Sequence, residues 1–292
     1  MNQSMINASV TMNGLMRKLD VIARNMSNMS TDGFKKQEAT FEDLLTTAKR
    51  QSDKQMLPGR LTQSGLTIGS GARLSQVHLN MAQGTLRLTD NPYDLAIEGD
   101  ALFEVGLRTV DANGDTVFEP AWTRNGAFRT SIIPNDEANS MLTTTEGGPV
   151  YNTNGEPVLI PSGRQFTIDT AGNVYVAPPE DSNGLPELVA TLKLVRAVRP
   201  QLLQTHGDNI FVLPDQFSTP EARAQLMQQL DMSTYEEGTA PIHVRQGFLE
   251  GSNVEMPEEM SELIQVQRAF QLSARALSSS DTMMDLANKL RG

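Results

Sequence analysis

Histidines, carboxylates and hydroxyls are the side chains of this 292-residue chain with the means to do chemistry, because it holds no cysteine. The three histidines, His78, His206 and His243, are far apart, and none stands in the His-Glu-x-x-His spacing that puts two imidazoles on one metal. Asp111-Ala112-Asn113-Gly114-Asp115 opens like a calcium loop. Thr116 then occupies the place of the glycine such a loop needs for its sharp turn, and candidate strands flank it, so a hairpin turn fits better. Gly69-Ser70-Gly71 lacks the third glycine and the lysine of a phosphate-binding loop and reads as a flexible connection. No Gly-x-Ser-x-Gly stands near a candidate base. The residues therefore point to no catalytic group, no cofactor and no metal. Zero cysteines also exclude disulfides and thiol catalysis, and leave the redox compartment open.

Since no constellation carries chemistry, the long periodic segments set the reading. Met1, Met5, Ala8, Met12, Leu15, Leu19, Ile22, Met26 and Met29 are spaced alternately by four and three, the a/d repeat of a helix whose apolar seam lies against other helices. Thirty residues of helix are about 45 Å long. Ser30-Thr31-Asp32-Gly33 marks the expected end, with Gly33 as a left-handed cap. At the other terminus, residues 257–290 hold no glycine or proline after Pro257. Leu263, Val266, Phe270, Ala274, Leu277, Met284 and Ala287 return on one side. Pro257 fits a first helical position, and Glu258, Glu259 and Glu262 suit the positive end of the helix dipole. Gln267, Ser280 and Asp281 interrupt or border this stripe, so it reads as a packed helix before a strict coiled coil.

Between these helices the period changes. Residues 34–48 look like a short extended piece and a helical turn or two, and 51–71, rich in Gly, Ser, Pro and Gln, like a long connection. From Arg73 onward, short candidate strands alternate with the hairpin chemistry of Asn113-Gly114, Asn125-Gly126, Asn154-Gly155 and Ala171-Gly172-Asn173. One stretch, 188–198, reads as a single strand. Residues 220–230 read as an isolated helix capped by Thr219 with Pro220 at its first position. The predicted fold class is α+β: long N- and C-terminal α-helices, a coiled-coil-like core, flanking a mostly antiparallel β middle domain. The predicted domains are 1–33 with 255–292 (helical assembly), 34–75 (connection) and 76–254 (β-rich).

Charge and hydropathy bound the function. The formal net charge is −11, with about +2 on residues 1–30, −1 on 257–292 and −12 between them. An acidic middle argues against nucleic acid and serves solubility. A hydrophobic fraction of 38% without a long apolar run excludes a transmembrane helix, and the N-terminus lacks the basic n-region of a Sec signal, so it is expected to be retained.

Four blocks carry a resemblance to a known family. Leu19-Asp20-Val21-Ile22-Ala23-Arg24-Asn25-Met26-Ser27-Asn28-Met29-Ser30-Thr31-Asp32-Gly33-Phe34-Lys35 resembles the N-terminal signature of the bacterial flagellar rod, hook and hook-associated proteins. Gln83-Gly84-Thr85-Leu86 with 91–105, Thr123-Arg124-Asn125-Gly126-Ala127-Phe128, and Glu250-Gly251-Ser252-Asn253-Val254 running into 264–270 resemble the same family in the same order. Phe41-Glu42-Asp43-Leu44-Leu45, then Leu57-Pro58, Gly65 and Ile68-Gly69-Ser70-Gly71, resemble the extra segment of distal rod subunits. Met26, Met29 and Ser27 depart from the residues common there.

The resemblance implies a subunit exported unfolded through the flagellar type III export apparatus without signal cleavage. It implies a helical polymer of copies of itself joined to other rod and hook proteins, a hollow drive shaft carrying torque from motor to hook. No enzyme activity, nucleic acid or small-molecule substrate is implied. The residues placed at the assembly interface are Met5, Met12, Leu15, Leu19, Ile22, Asn25, Met26, Asn28, Gly33 and Phe34 at one end. At the other they are Leu263, Val266, Gln267, Arg268, Phe270, Leu277 and Met284. Alternatives are a proximal rod or hook-type subunit, or a secreted cell-wall-acting enzyme or binding module with oligomerising helices. In the isolated monomer, both terminal helices are expected to be largely disordered or loosely held, because two seams with only each other as partners gain too little burial to offset the ordering entropy.

Overall fold

Apolar residues at helical spacing make the first helix. It runs α1 (Asn2–Ser27), followed in the chain by α2 (Pro220–Leu226) and α3 (Met256–Lys289). The computed structural model describes residues 2–43, 47–49, 66–68, 72–110, 116–133, 136–178, 184–207, 209–217, 219–230 and 242–290. The phosphate-loop-like Gly69-Ser70-Gly71 and the calcium-loop-like 111–115, with its Asn113-Gly114 turn, lie outside the described residues. So does most of the connection 51–71, including Leu57-Pro58 and Gly65.

Two units divide the chain. The first comprises Met1–Ser27, Gln37–His78 and Glu255–Gly292, the second Asn28–Lys36 and Leu79–Val254. In the first, α1 and α3 lie side by side and antiparallel, since Lys18 pairs with Glu262 while Asn25, two turns on, meets Glu259. A two-stranded ribbon of Gln37–Asp43 and Ala72–Leu79 accompanies them, pinned by Thr40 Oγ1 donating to Gln76 O (3.1 Å) and Ser75 Oγ to Glu42 Oε2 (2.9 Å). Lys18 also stands over the Phe41 ring, 5.7 Å from its centroid.

The second unit is built on a six-stranded antiparallel sheet. Its order is 204–205, 210–212, 116–123, 102–110, 194–197, 227–229. Strand Leu102–Val110 alternates as a strand covered on both faces must. Phe103, Val105 and Leu107 join one apolar cluster, in which the Phe103 and Phe128 rings meet edge to face at 5.1 Å, while Leu102 joins the other with Trp122, Val195 and Phe211. Smaller antiparallel sheets surround it, among them Leu95–Glu98 with His243–Gln246 and Leu86–Leu88 with Phe248–Glu250.

The predicted fold class is corrected by this architecture. Among the described residues three α-helices stand against twenty strands, spread over several antiparallel sheets. The terminal helices do not flank one β middle. The reason is physical: a 3.6-residue period sustained over thirty residues dominates any reading of pattern, whereas strands of three to five residues covered on both faces show no alternation to count. Strand Gln37–Asp43, seven residues long, falls in the short extended piece expected within 34–48, and Asp136–Thr143, eight residues long, adds a strand to the expected β region.

Several elements also end differently from their sequence signals. The helix predicted to run to Ser30 ends at Ser27, so Gly33, at φ 73°, does not cap it. Helix α2 stops at Leu226 without a side-chain bond from Thr219, because Met227–Gln229 is claimed by the sheet as partner of Leu194–Ala197. The single strand expected over 188–198 is two, Glu187–Thr191 and Leu194–Ala197, which serve different sheets.

Candidate functional site

The expected assembly residues fall into both units. On α1, Ile22 and Asn25 are buried while Met5, Met12, Leu15, Leu19 and Met26 are half-buried. On α3, Val266 is buried and Leu263, Phe270, Leu277 and Met284 are half-buried. Gln267 and Arg268 face solvent, so they are not part of the seam between the two helices. Half-buried Asn28 and buried Gly33 and Phe34 belong to the second unit. A second apolar stripe on α3 stays open to solvent: Met256, Met260, Ile264, Leu272, Met283 and Leu286, with Ile264 47% and Leu272 64% exposed.

Asn25 works as a piece of backbone. Its Nδ2 donates to Gln37 O (2.9 Å) and its Oδ1 accepts from Gln37 N (3.0 Å), the two bonds a neighbouring strand would make, and Nδ2 also reaches Glu259 Oε2 at 3.3 Å. All three side chains are buried. Replacing Asn25 with alanine strands the Gln37 amide and carbonyl away from water. It should lower stability by about 3 kcal/mol, read by urea denaturation followed through helix circular dichroism.

In the second unit, the four sequence blocks meet. Gly33, from the first, donates its N–H to Glu250 O (2.7 Å), and its left-handed backbone sits so close to Asn125 that a Cβ there would lie 2.5 Å from Asn125 N. Lys35 Nζ donates to Glu250 Oε1 (2.8 Å), Ala82 O (2.8 Å) and Met81 O (3.4 Å). Gly84 N, from the second block, shares Glu250 Oε1 at 2.8 Å. Arg124, from the third, bonds Glu250 Oε2 through Nε and Ala101 O through one terminal nitrogen. Its other terminal nitrogen donates to Ile97 O (2.9 Å) and Gly99 O (2.7 Å). In the fourth, Asn253 accepts from Lys36 N (2.7 Å) and donates to Asn80 O and Ala82 O (both 2.9 Å).

Lys35, Arg124 and Glu250 are each only 2% exposed. Burial pushes the Lys35 ammonium below its ordinary pKa; the Glu250 carboxylate pulls it back up, and the Arg124 guanidinium opposes that. Such a cluster is unreachable by a substrate and fully engaged by carbonyls and a carboxylate. Its chemistry is cohesive: it ties the segment that enters the second unit, 28–36, to the one that leaves it, 248–254. Sequence reasoning quoted all three charged residues inside motifs but missed their convergence, since nothing in their spacing says that positions 35, 124 and 250 share one site. The histidines do not converge. His78 Nε2 is 3.4 Å from Glu38 Oε2 in the first unit, and His206 and His243 lie in the second. Among the described residues no group of three His, Asp or Glu is arranged to hold a metal.

Comparison with known proteins decides the family. A flagellar hook-basal body complex protein of Bacillus subtilis (strain 168), FlhP, is 30% identical over 295 residues, the full length of both chains. The chain belongs to the flagellar basal-body rod protein family. Flagellar basal-body rod proteins named FlgG are similar to it too. That of Borreliella burgdorferi is 30% identical over 94% of this chain and 92% of its own, and that of Caulobacter vibrioides 30% identical over 94% and 93%. A family model described as "Flagellar basal body rod FlgEFG protein C-terminal" matches residues 245–290. Within this rod-family chain that span takes in Glu250, Asn253 and all of α3. The C-terminal match therefore covers both the counter-ion of the buried cluster and the helix with the open stripe.

Proposed function

We propose that this member of the rod family is a structural subunit at the distal tier of the flagellar rod, assembled with other rod and hook components. Copies of the chain stack into a hollow helical polymer that carries torque from motor to hook. The type III export apparatus delivers it unfolded, without signal cleavage, and it performs no catalysis. One observation carries this reading: α3 keeps a line of large apolar side chains in solvent along the face that α1 leaves uncovered. Six large apolar side chains exposed on one helix, three of them a turn apart at Met256, Met260 and Ile264, are the sort of apolar surface that marks a protein interface. A repeated, non-closing contact between identical subunits makes a helical polymer. Similarity to rod proteins named FlgG over at least 92% of each chain supports a rod subunit, and Met5, Met12 and Met26, unbranched and half-buried, suit neighbours of slightly different shape.

Deletion in the native cell tests this. Loss of the chain should abolish swimming and leave cells without hooks or filaments, seen by electron microscopy of the cell surface. Chained or misshapen cells that still build hooks would point instead to a wall-acting enzyme.

A further inference from the structure

Glu250 lies 215 residues along the chain from Lys35 and 126 from Arg124. The two cations therefore gain their shared counter-charge only when the leaving segment has come to lie beside the entering one. Without that carboxylate the site holds an ammonium and a guanidinium, both almost wholly removed from water. The carbonyls of Ile97, Gly99, Ala101 and Ala82 solvate them as dipoles but neutralise nothing. Asp100 is the other acid that acts on Lys35, more weakly than Glu250 does. The same leaving segment supplies the acceptors for Gly33 N and Lys36 N, so three separate bonds to the entering segment arrive with it.

We infer that Glu250 is the closing element of the second unit: the entering limb 28–36 is held in register only once the leaving limb 248–254 brings its carboxylate between Lys35 and Arg124. A chain that stops short of Glu250 thus cannot present both limbs side by side, whatever it goes on to assemble with. Sequential arrival makes the device useful. The residues that start the fold are poised but not locked until nearly the whole chain is present.

The full-length Glu250→Gln variant tests this, because it removes the charge and keeps the shape. Trp122, the chain's one tryptophan, is 1% exposed in the same unit and reports its unfolding by fluorescence. The urea midpoint should fall by about 2 M, and amide exchange over residues 28–36 should quicken about 100-fold. Adding Lys35→Met, which takes away one stranded cation, should recover part of both losses. The single variant should also gain stability as pH rises from about 7 to about 10. In it Lys35 loses the carboxylate that raised its pKa. Arg124 and Asp100 stay charged, and the folded state binds fewer protons than the unfolded one until lysine titrates freely. A wild-type midpoint and wild-type exchange in Glu250→Gln, or a double variant no better than the single, would overturn the inference. If Glu250→Gln does not fold at neutral pH, recovery of Trp122 burial in the double variant supports the inference, and its failure overturns it.

Discussion

Arg124→Leu is expected to destabilise the second unit by about 3–5 kcal/mol, the cost of removing one member of a buried, hydrogen-bonded charge cluster. The substitution keeps apolar volume but removes every donor the guanidinium supplies. The carbonyls of Ile97, Gly99 and Ala101, which close the turn between strands Leu95–Glu98 and Leu102–Val110, lose a shared partner. Each buried acceptor left dry costs about 1–3 kcal/mol, although Ile97 O keeps a donor in Gln83 Nε2 (3.2 Å). Glu250 keeps Lys35 and Gly84 N, so the loss concentrates at that turn and at Glu250 Oε2. Arg124→Lys should restore only a fraction, because an ammonium cannot span three carbonyls and a carboxylate in one plane. Urea unfolding monitored by Trp122 measures both. A leucine variant within 1 kcal/mol of wild type would mean that the guanidinium bonds contribute nothing net.

The second large effect is steric. Gly126→Ala should cost about 3 kcal/mol or more, beyond the usual 1–3 for an overpacked core. A Cβ at Gly126 would lie 1.6 Å from the carbonyl oxygen of Leu95, while Gly126 O accepts from Leu95 N at 3.0 Å. The neighbour is backbone of a paired strand, so it cannot rotate out of the way. Gly155→Ala is the control: its turn has φ 82° but nothing within 4 Å of a new Cβ, and it should show only the left-handed strain of about 1–2 kcal/mol. Thermal unfolding of the two variants side by side separates collision from conformational strain. Gly126 itself has no left-handed backbone, so a loss no larger than that of Gly155→Ala would contradict the collision with Leu95 O.

How much of this was legible in the sequence depended on the range of the interaction involved. The apolar periods of residues 1–30 and 257–290 are local, and Ile22 and Val266 are buried where those periods put them. Local signals failed where tertiary pairing outbid them: Met227–Gln229 leaves a helical pattern to join a sheet, and 188–198 breaks because its halves find different partners. Gly33 shows the same competition in one residue. Its type announced a left-handed backbone correctly, but the reason is close approach to Asn125 and not a helix cap. The fold class went astray because counting periods weights long helices over short strands. The charge cluster was beyond reach altogether: Lys35, Arg124 and Glu250 look like surface charges in separate turns, and only three-dimensional closure removes them from water. Asn25 and Gln37 are similar, since a side chain that imitates a strand leaves no periodic trace.

Electron cryomicroscopy of purified basal bodies from the native organism is the most direct measurement of the central claim. The expected result is this chain in the rod, with Met260, Ile264, Leu272 and Met283 of α3 covered by helices of neighbouring subunits. Basal bodies complete without this chain, or a rod in which that stripe of α3 still faces water, would contradict it.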